Sequence, residues 1–148
     1  MKFVRKYVPG LFLVVLLVLS GVSLASERII NTPAQSLKWQ KTPEGVAFAS
    51  LVGDRFNGAY MAMVKLPGGL VSPPHVKSAN MFGVMVSGAM VHKALGENSS
   101  PVLHVGSFYK IPKNVPHISK CISNEDCITF LYQDGKFDFL PVKEEELQ

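Results

Sequence analysis

The sequence has 148 residues, 47% of them hydrophobic, and carries 15 Lys and Arg against 11 Asp and Glu, for a formal net charge of +4. Lys2, Arg5 and Lys6 lie at the N-terminus, and the chain that follows them is nearly neutral. This balance gives no support for binding to nucleic acid or to an anionic membrane surface. The length is enough for one hydrophobic core and too short for two domains.

The N-terminal segment has the order of a secretory signal peptide, with basic residues followed by an apolar run over residues 11–19 and then by Ser23 and Ala25. The run is shorter than the ~20 apolar residues of a membrane-spanning helix, and a Pro9-Gly10 break lies before it. We therefore predict a signal peptide over residues 1–25 and one domain over residues 26–148. The product would be exported, periplasmic or secreted, with no membrane association after cleavage. An uncleaved anchor is the alternative.

The sequence contains two cysteines, Cys121 and Cys127, separated by a polar segment that is typical of a turn. Export would place both thiols in an oxidising compartment. We predict a disulfide between them that staples a hairpin. Two unlinked thiols are the alternative, and the spacing is wider than that of a redox-active C-x-x-C pair.

Short runs rich in β-branched, aromatic and other apolar residues alternate with turn residues such as Gly, Pro, Asn and Asp along the rest of the chain. We predict strands over residues 46–51, 59–66, 81–86, 89–92, 107–111, 128–132 and 137–140. Regularly spaced short strands predict an all-β sandwich or a small barrel. The charged tail, residues 143–148, is expected to be frayed or helical.

Two segments carry residues at characteristic spacings. In the first, Gly69 is followed after five residues by His75, then by Lys77, Met81 and the closing Gly88.

The second segment has Gly106, Pro112, Asn114, His117 and Cys121. Together the segments resemble the paired motifs of the cupin superfamily. The sequence around them resembles a cupin group known only as a domain of unknown function. The resemblance implies a jelly-roll barrel, a double-stranded β-helix of the RmlC-like type.

In the family, the first motif supplies two His and one Glu as metal ligands and the second supplies a third His. The resemblance therefore places His75 and His117 at ligand positions, with Lys77 instead of His and Met81 instead of Glu. An ammonium has no lone pair to donate, and a divalent metal normally wants at least three protein ligands. Either no cofactor is required, or one divalent metal ion of unidentified kind binds to His75 and His117, with the thioether of Met81 as a further candidate ligand.

Strand periodicity independently predicts that His75, Lys77 and Met81 share one wall, because residues two apart on a strand point the same way. Asn80 has the opposite parity and would reach the pocket only through a bulge. His92 is expected near the pocket mouth. The expected ligand-binding residues are thus Lys77, His75, His117, Asn80 and His92.

Three functions remain open. The first is an exported protein that binds a small molecule. The positive charge of Lys77 would favour an anionic molecule. The second is a metal-dependent cupin enzyme of the dioxygenase or isomerase type with His75 and His117 as ligands. The third is a structural or interaction protein whose pocket is filled by side chains. The expected partner is a small molecule, and formation of a homodimer is also left open.

Overall fold

The structure, a computed structural model, describes residues 28–143. The predicted signal peptide and nearly all of the charged tail therefore lie outside the described residues. From Asn31 onward the described chain forms one compact unit. Within residues 28–143, no helix is long and apolar enough to span a membrane.

The described chain contains one short 3-10 helix, Ala34–Ser36, and ten strands. The strands are β1 (Trp39–Lys41), β2 (Ala47–Gly53), β3 (Tyr60–Leu66), β4 (His75–Val76), β5 (Met81–Ser87), β6 (Met90–Ala94), β7 (Phe108–Ile111), β8 (His117–Cys121), β9 (Cys127–Gln133) and β10 (Leu140–Pro141). They form a six-stranded sheet in the order β1-β2-β3-β9-β5-β7 and a four-stranded sheet in the order β10-β4-β8-β6, and all pairings are antiparallel. This architecture confirms the all-β, double-sheet barrel.

Alternation of side chains explains how the barrel closes over a core. In β3 and β9 every second residue is buried, and Ala62 and Leu131 lie opposite each other in the register of the pair. Since successive strand residues point to opposite faces, this pattern turns one face of the six-stranded sheet towards the other sheet. The inner positions hold the core: Phe48, Tyr60, Ala62, Val64, Leu66, Met81, Met85, Met90, Tyr109, Ile111, Cys121, Cys127 and Leu131.

Six of the seven predicted strands are confirmed within two residues at each end. The seventh, over residues 137–140, is wrong, because only Leu140 lies in a strand and Phe137 and Phe139 belong to an irregular segment that turns into the barrel. Strands β1, β4 and β8 were not in the predicted set. Two of these, β4 and β8, are the strands on which His75 and His117 lie.

The predicted cysteine pair is confirmed, since the Cys121 and Cys127 sulfur atoms lie at bonding distance with Cα atoms 5.7 Å apart. The expected hairpin is wrong, because β8 and β9 belong to different sheets. The disulfide thus joins the two sheets across the core. Gly88 packs against it with φ of +75°, and a Cβ there would lie 2.9 Å from the Cys127 sulfur.

The turn that leads into β8 is built on Asn114, which takes the left-handed conformation at φ 62°. Asn tolerates this region better than most residues, as the sequence predicts for this bend. The Asn114 amide donates a 2.8 Å hydrogen bond to the carbonyl oxygen of Lys77. The start of β8 is thereby tied to the segment that carries Lys77.

Candidate functional site

A cavity of about 480 Å³ lies between the two sheets. Its walls are mostly apolar and aromatic, with Phe48, Val64, Leu66, Met90 and Leu131 among them. Exposed residues near Pro43, Glu44 and Phe56 also line it, so the cavity reaches the surface at that end of the barrel. This size falls in the range of small-molecule sites, about 300–1,000 Å³.

The inward orientation predicted from strand parity is observed, but the expected single wall is wrong, because His75 lies in β4 of the four-stranded sheet, Met81 in β5 of the six-stranded sheet, and Lys77 in the segment between them. His75, Lys77, Ala79 and Met81 are all buried, whereas the residues between them are half-buried or exposed. His75, Lys77 and Met81 line the cavity. Asn80 is not among the lining residues: its side chain bonds to Asp134 and accepts from the Lys113 amide. No bulge turns Asn80 inward, so its role here is to hold neighbouring turns together.

His75 and His117 lie directly opposite each other in β4 and β8, with ring centroids 4.3 Å apart. Each Nδ1 lies within hydrogen-bond distance of a backbone carbonyl, 2.8 Å from Pro73 O and 2.9 Å from Val115 O. A carbonyl oxygen can only accept, so Nδ1 carries the proton and Nε2 keeps its lone pair. Burial lowers the pKa of His75 to about 4 and also lowers the pKa of His117. Both imidazoles are therefore neutral near pH 7.

His117 does not line the cavity. It is 2% exposed, and its Nε2 has no hydrogen-bond partner among the residues that the structure describes. The ring packs against that of His75 at a centroid distance of 4.3 Å.

His92 lines the cavity from β6. Its Nδ1 lies 2.8 Å from Ser119 Oγ, its ring packs 4.2 Å from the Tyr109 ring, and its Nε2 is buried without a partner in the described chain. Burial lowers the pKa of His92 to about 3. It is a neutral group with one free polar atom.

Lys77 is 5% exposed and lies against aromatic rings. Its Nζ donates to the carbonyl oxygen of Asp138 and lies 4.2 Å from the Phe137 centroid and 5.2 Å from the Phe139 centroid. Burial lowers the pKa of Lys77 to about 8, while the nearby Asp138 carboxylate acts in the opposite direction. The ammonium thus stays largely charged at pH 7, and only one of its three N–H donors has a protein acceptor here.

Sequence reasoning missed Arg55, which lines the cavity together with Lys77 and the exposed Lys41. Its guanidinium carbon lies 4.4, 4.6 and 5.5 Å from the ring centroids of Phe48, Phe56 and Phe137, and its Nη1 is buried with no partner in the range 28–143. The residue follows Gly53-Asp54, which indicates a turn and no more. No local signal could have shown that Phe137 would lie beside it.

The donor set does not fit a conventional divalent metal centre. Among residues 28–143, no three His, Cys, Asp or Glu side chains come together in an arrangement that could hold a metal ion. His75 and His117 supply two imidazoles, and the next inward position along the chain after His75 is the ammonium of Lys77. Its positive charge repels a cation, and its nitrogen has no lone pair while protonated.

The two-sheet barrel and the motif residues on its inner wall define a cupin, and solved structures confirm this fold. Similar structures include KdgF from Halomonas sp. (18% identity, 77% of this chain and 94% of that chain, TM-score 0.56) and an RmlC-like cupin from Ralstonia eutropha JMP134 (22%, 78% and 75%, 0.62). A third is the polyketide cyclase RemF from Streptomyces resistomycificus (14%, 78% and 87%, 0.64). At these identities the likeness establishes the fold alone.

Residues 22–140 match the model of the family described as Domain of unknown function (DUF4437). The chain belongs to that family. No curated protein matches the sequence.

Proposed function

We propose that this cupin is an exported binding protein whose barrel cavity holds a small organic anion with an apolar body. The observation that carries the proposal is that two cations, the buried Lys77 and the half-buried Arg55, lie near the same Phe137 ring in a mostly apolar cavity. Two like charges in an apolar setting are costly unless an opposite charge joins them. A carboxylate between them would relieve that cost.

Unused polar atoms around the cavity support a polar ligand. Arg55 Nη1 and His92 Nε2 are buried without partners among the described residues, and both side chains line the cavity. Buried polar groups in folded proteins are normally hydrogen-bonded, so each of these atoms offers a bond to a ligand. The cavity volume argues against the alternative in which side chains fill the pocket.

Binding can be tested with small aromatic carboxylates, beginning with benzoate, and with the matching neutral amides. We expect the carboxylates to bind more tightly, and Arg55→Met or Lys77→Met to weaken their binding about tenfold or more, since a hydrogen bond to a charged group contributes about 1.5–3 kcal/mol. Isothermal titration calorimetry measures each affinity.

Lys65→Met is the matched control. The Lys65 ammonium also lies over an aromatic ring, 4.5 Å from the Trp39 centroid, but neither residue lines the cavity. Its loss should leave binding unchanged. Equal affinity for acids and amides, or equal losses in all three variants, would overturn the anion proposal.

Export is the other part of the proposal, and the buried cysteine pair supports it, because disulfides persist mainly in oxidising compartments. Expression of the whole chain in a bacterium should give a periplasmic or secreted product that begins at Ser26. N-terminal sequencing checks this cleavage. A cytoplasmic product that retains residues 1–25 would contradict it.

A further inference from the structure

The amine of Lys77 differs from an ordinary surface lysine in more than its charge. It is 5% exposed, lines the cavity, and forms no salt bridge with the carboxylates of residues 28–143. Lys65 provides the contrast, since its side chain is 31% exposed and pairs with Asp126 at 3.9 Å. An amine that is buried in an apolar site and not neutralised by a carboxylate in contact is the arrangement in which a lysine becomes a nucleophile.

The groups that face Lys77 have opposing effects on the pKa of its amine. The aromatic rings of Phe137 and Phe139 lie against the amine, the nearby His75 is neutral, and the Arg55 guanidinium carbon lies 5.5 Å from the Phe137 centroid. The Asp138 carboxylate favours the ammonium, but it accepts hydrogen bonds from the Ser78 amide instead of from Lys77. Burial has the larger effect and lowers the pKa of Lys77 to about 8.

We propose that Lys77 condenses reversibly with the carbonyl carbon of an aldehyde or ketone that also carries a carboxylate, an oxo acid, to form an imine in the cavity. The Nζ lone pair attacks the carbonyl carbon, the C=O π bond becomes an alcohol as a proton moves from nitrogen to oxygen, and loss of water leaves the C=N bond. No oxidant or reductant is consumed. The substrate class is thus a small oxo acid with an apolar body.

Arg55 decides which carbonyl compounds are favoured. Its guanidinium remains charged at any ordinary pH and has an unpartnered buried Nη1, so it suits the carboxylate, while the carbonyl group lies at Lys77. This step rests on the proposed binding of an anion. The nucleophilic role of Lys77 can nevertheless be tested separately from it.

The test uses 4-formylbenzoate and, as its uncharged counterpart, benzaldehyde. Each is incubated with the whole protein and cyanoborohydride, which reduces an imine to a stable secondary amine, and peptide mapping by mass spectrometry locates the adduct. We expect 4-formylbenzoate to label Lys77 first, at least tenfold faster than Lys65, with a rate that rises as pH increases towards 8. Excess benzoate should protect Lys77.

Arg55→Met should slow labelling by 4-formylbenzoate and leave labelling by benzaldehyde unchanged. Lys77→Arg keeps a cation and cannot form the imine, so it should lose the preferred adduct. The mapping of the unaltered protein needs no variant to fold. Labelling spread evenly over exposed lysines would overturn the imine, even where calorimetry shows that benzoate binds. Equal labelling of Lys77 by both aldehydes would support its role as a nucleophile and contradict the contact between Arg55 and the carboxylate.

Discussion

Three buried histidines, His75, His92 and His117, are held neutral by burial in the folded protein. In the unfolded chain each would return to the ordinary pKa near 6.5. Between pH 6.5 and about 4 the unfolded state therefore binds more protons than the folded state, and the free energy of unfolding falls as the pH falls through this window. We expect full stability above pH 6.5 and a steep loss below it.

Urea denaturation at several pH values across this window measures the effect. His92→Gln removes one titrating group and should flatten the pH dependence. His104 is exposed, so His104→Gln should leave the dependence as it is. A free energy of unfolding that stays constant from about pH 7 to about pH 4 would show that these histidines titrate normally in the folded protein.

Lys77 should also determine the affinity of the cavity for metal ions. Lys77→His removes the repelling charge and adds an imidazole beside His75, so we expect affinity for Zn(II) to rise at least tenfold over the parent. Lys77→Ala removes the charge alone and should fall between the two. Calorimetric titration at one pH gives the order. If the parent binds Zn(II) as tightly as Lys77→His, other residues complete a metal site and the donor-set reasoning is wrong.

At the scale of the strands, Gly83 in β5 and Tyr109 in β7 are partners across the sheet. A Cβ at Gly83 would overlap the Tyr109 ring, which lies over the glycine and supports the His92 ring at 4.2 Å. We expect Gly83→Ala to reduce the free energy of unfolding by about 1–3 kcal/mol, because an added methyl in a packed core forces the ring to move. The displacement should also perturb the His92 side chain, which NMR can follow.

Gly58→Ala is the matched control, since a Cβ at Gly58 meets no atom within 4 Å. It should change the free energy of unfolding by much less than Gly83→Ala. Comparable losses for the two alanines would mean that loss of glycine flexibility, and not contact with Tyr109, determines the effect.

The lengths of the strands explain why some of them could be predicted from the sequence and others could not. Strands such as β3 and β9 have seven residues with alternating burial, and this periodicity is visible in the sequence. Strand β4 has only two residues and lies after Pro73-Pro74, so its periodicity cannot be recognised. It is a strand because β8 and β10 pair with it from distant parts of the chain.

For the whole molecule, the Cys121–Cys127 disulfide joins the two sheets. Because it closes a short loop, the chain-entropy estimate gives a stabilisation of about 2 kcal/mol. Reduction with dithiothreitol should lower the free energy of unfolding by this amount, and since the chain has two cysteines, the effect can be assigned to this pair. A double variant, Cys121→Ala with Cys127→Ala, should lose at least as much and no longer respond to the reductant. No difference between reduced and oxidised protein would contradict the prediction.

The sequence by itself determined what depends on neighbouring residues. Alternation along the strands established the all-β class, and two cysteines permit only one pairing within the chain. Parity also predicted that His75, Lys77 and Met81 point inward, although His75 and Met81 lie in different sheets. The all-β class could be predicted because strand geometry repeats every two residues whatever the rest of the fold does.

Only the tertiary structure decided the surroundings of these side chains. His117 packs against His75, Arg55 enters the cavity from a turn, and Phe137 lies near both Arg55 and Lys77. Each of these contacts joins segments far apart in the chain, whose meeting depends on strand register and on the path of irregular loops. Local sequence patterns carry no information on either, so the cavity with Arg55 and Lys77 around Phe137 could be found only once the two sheets were in place.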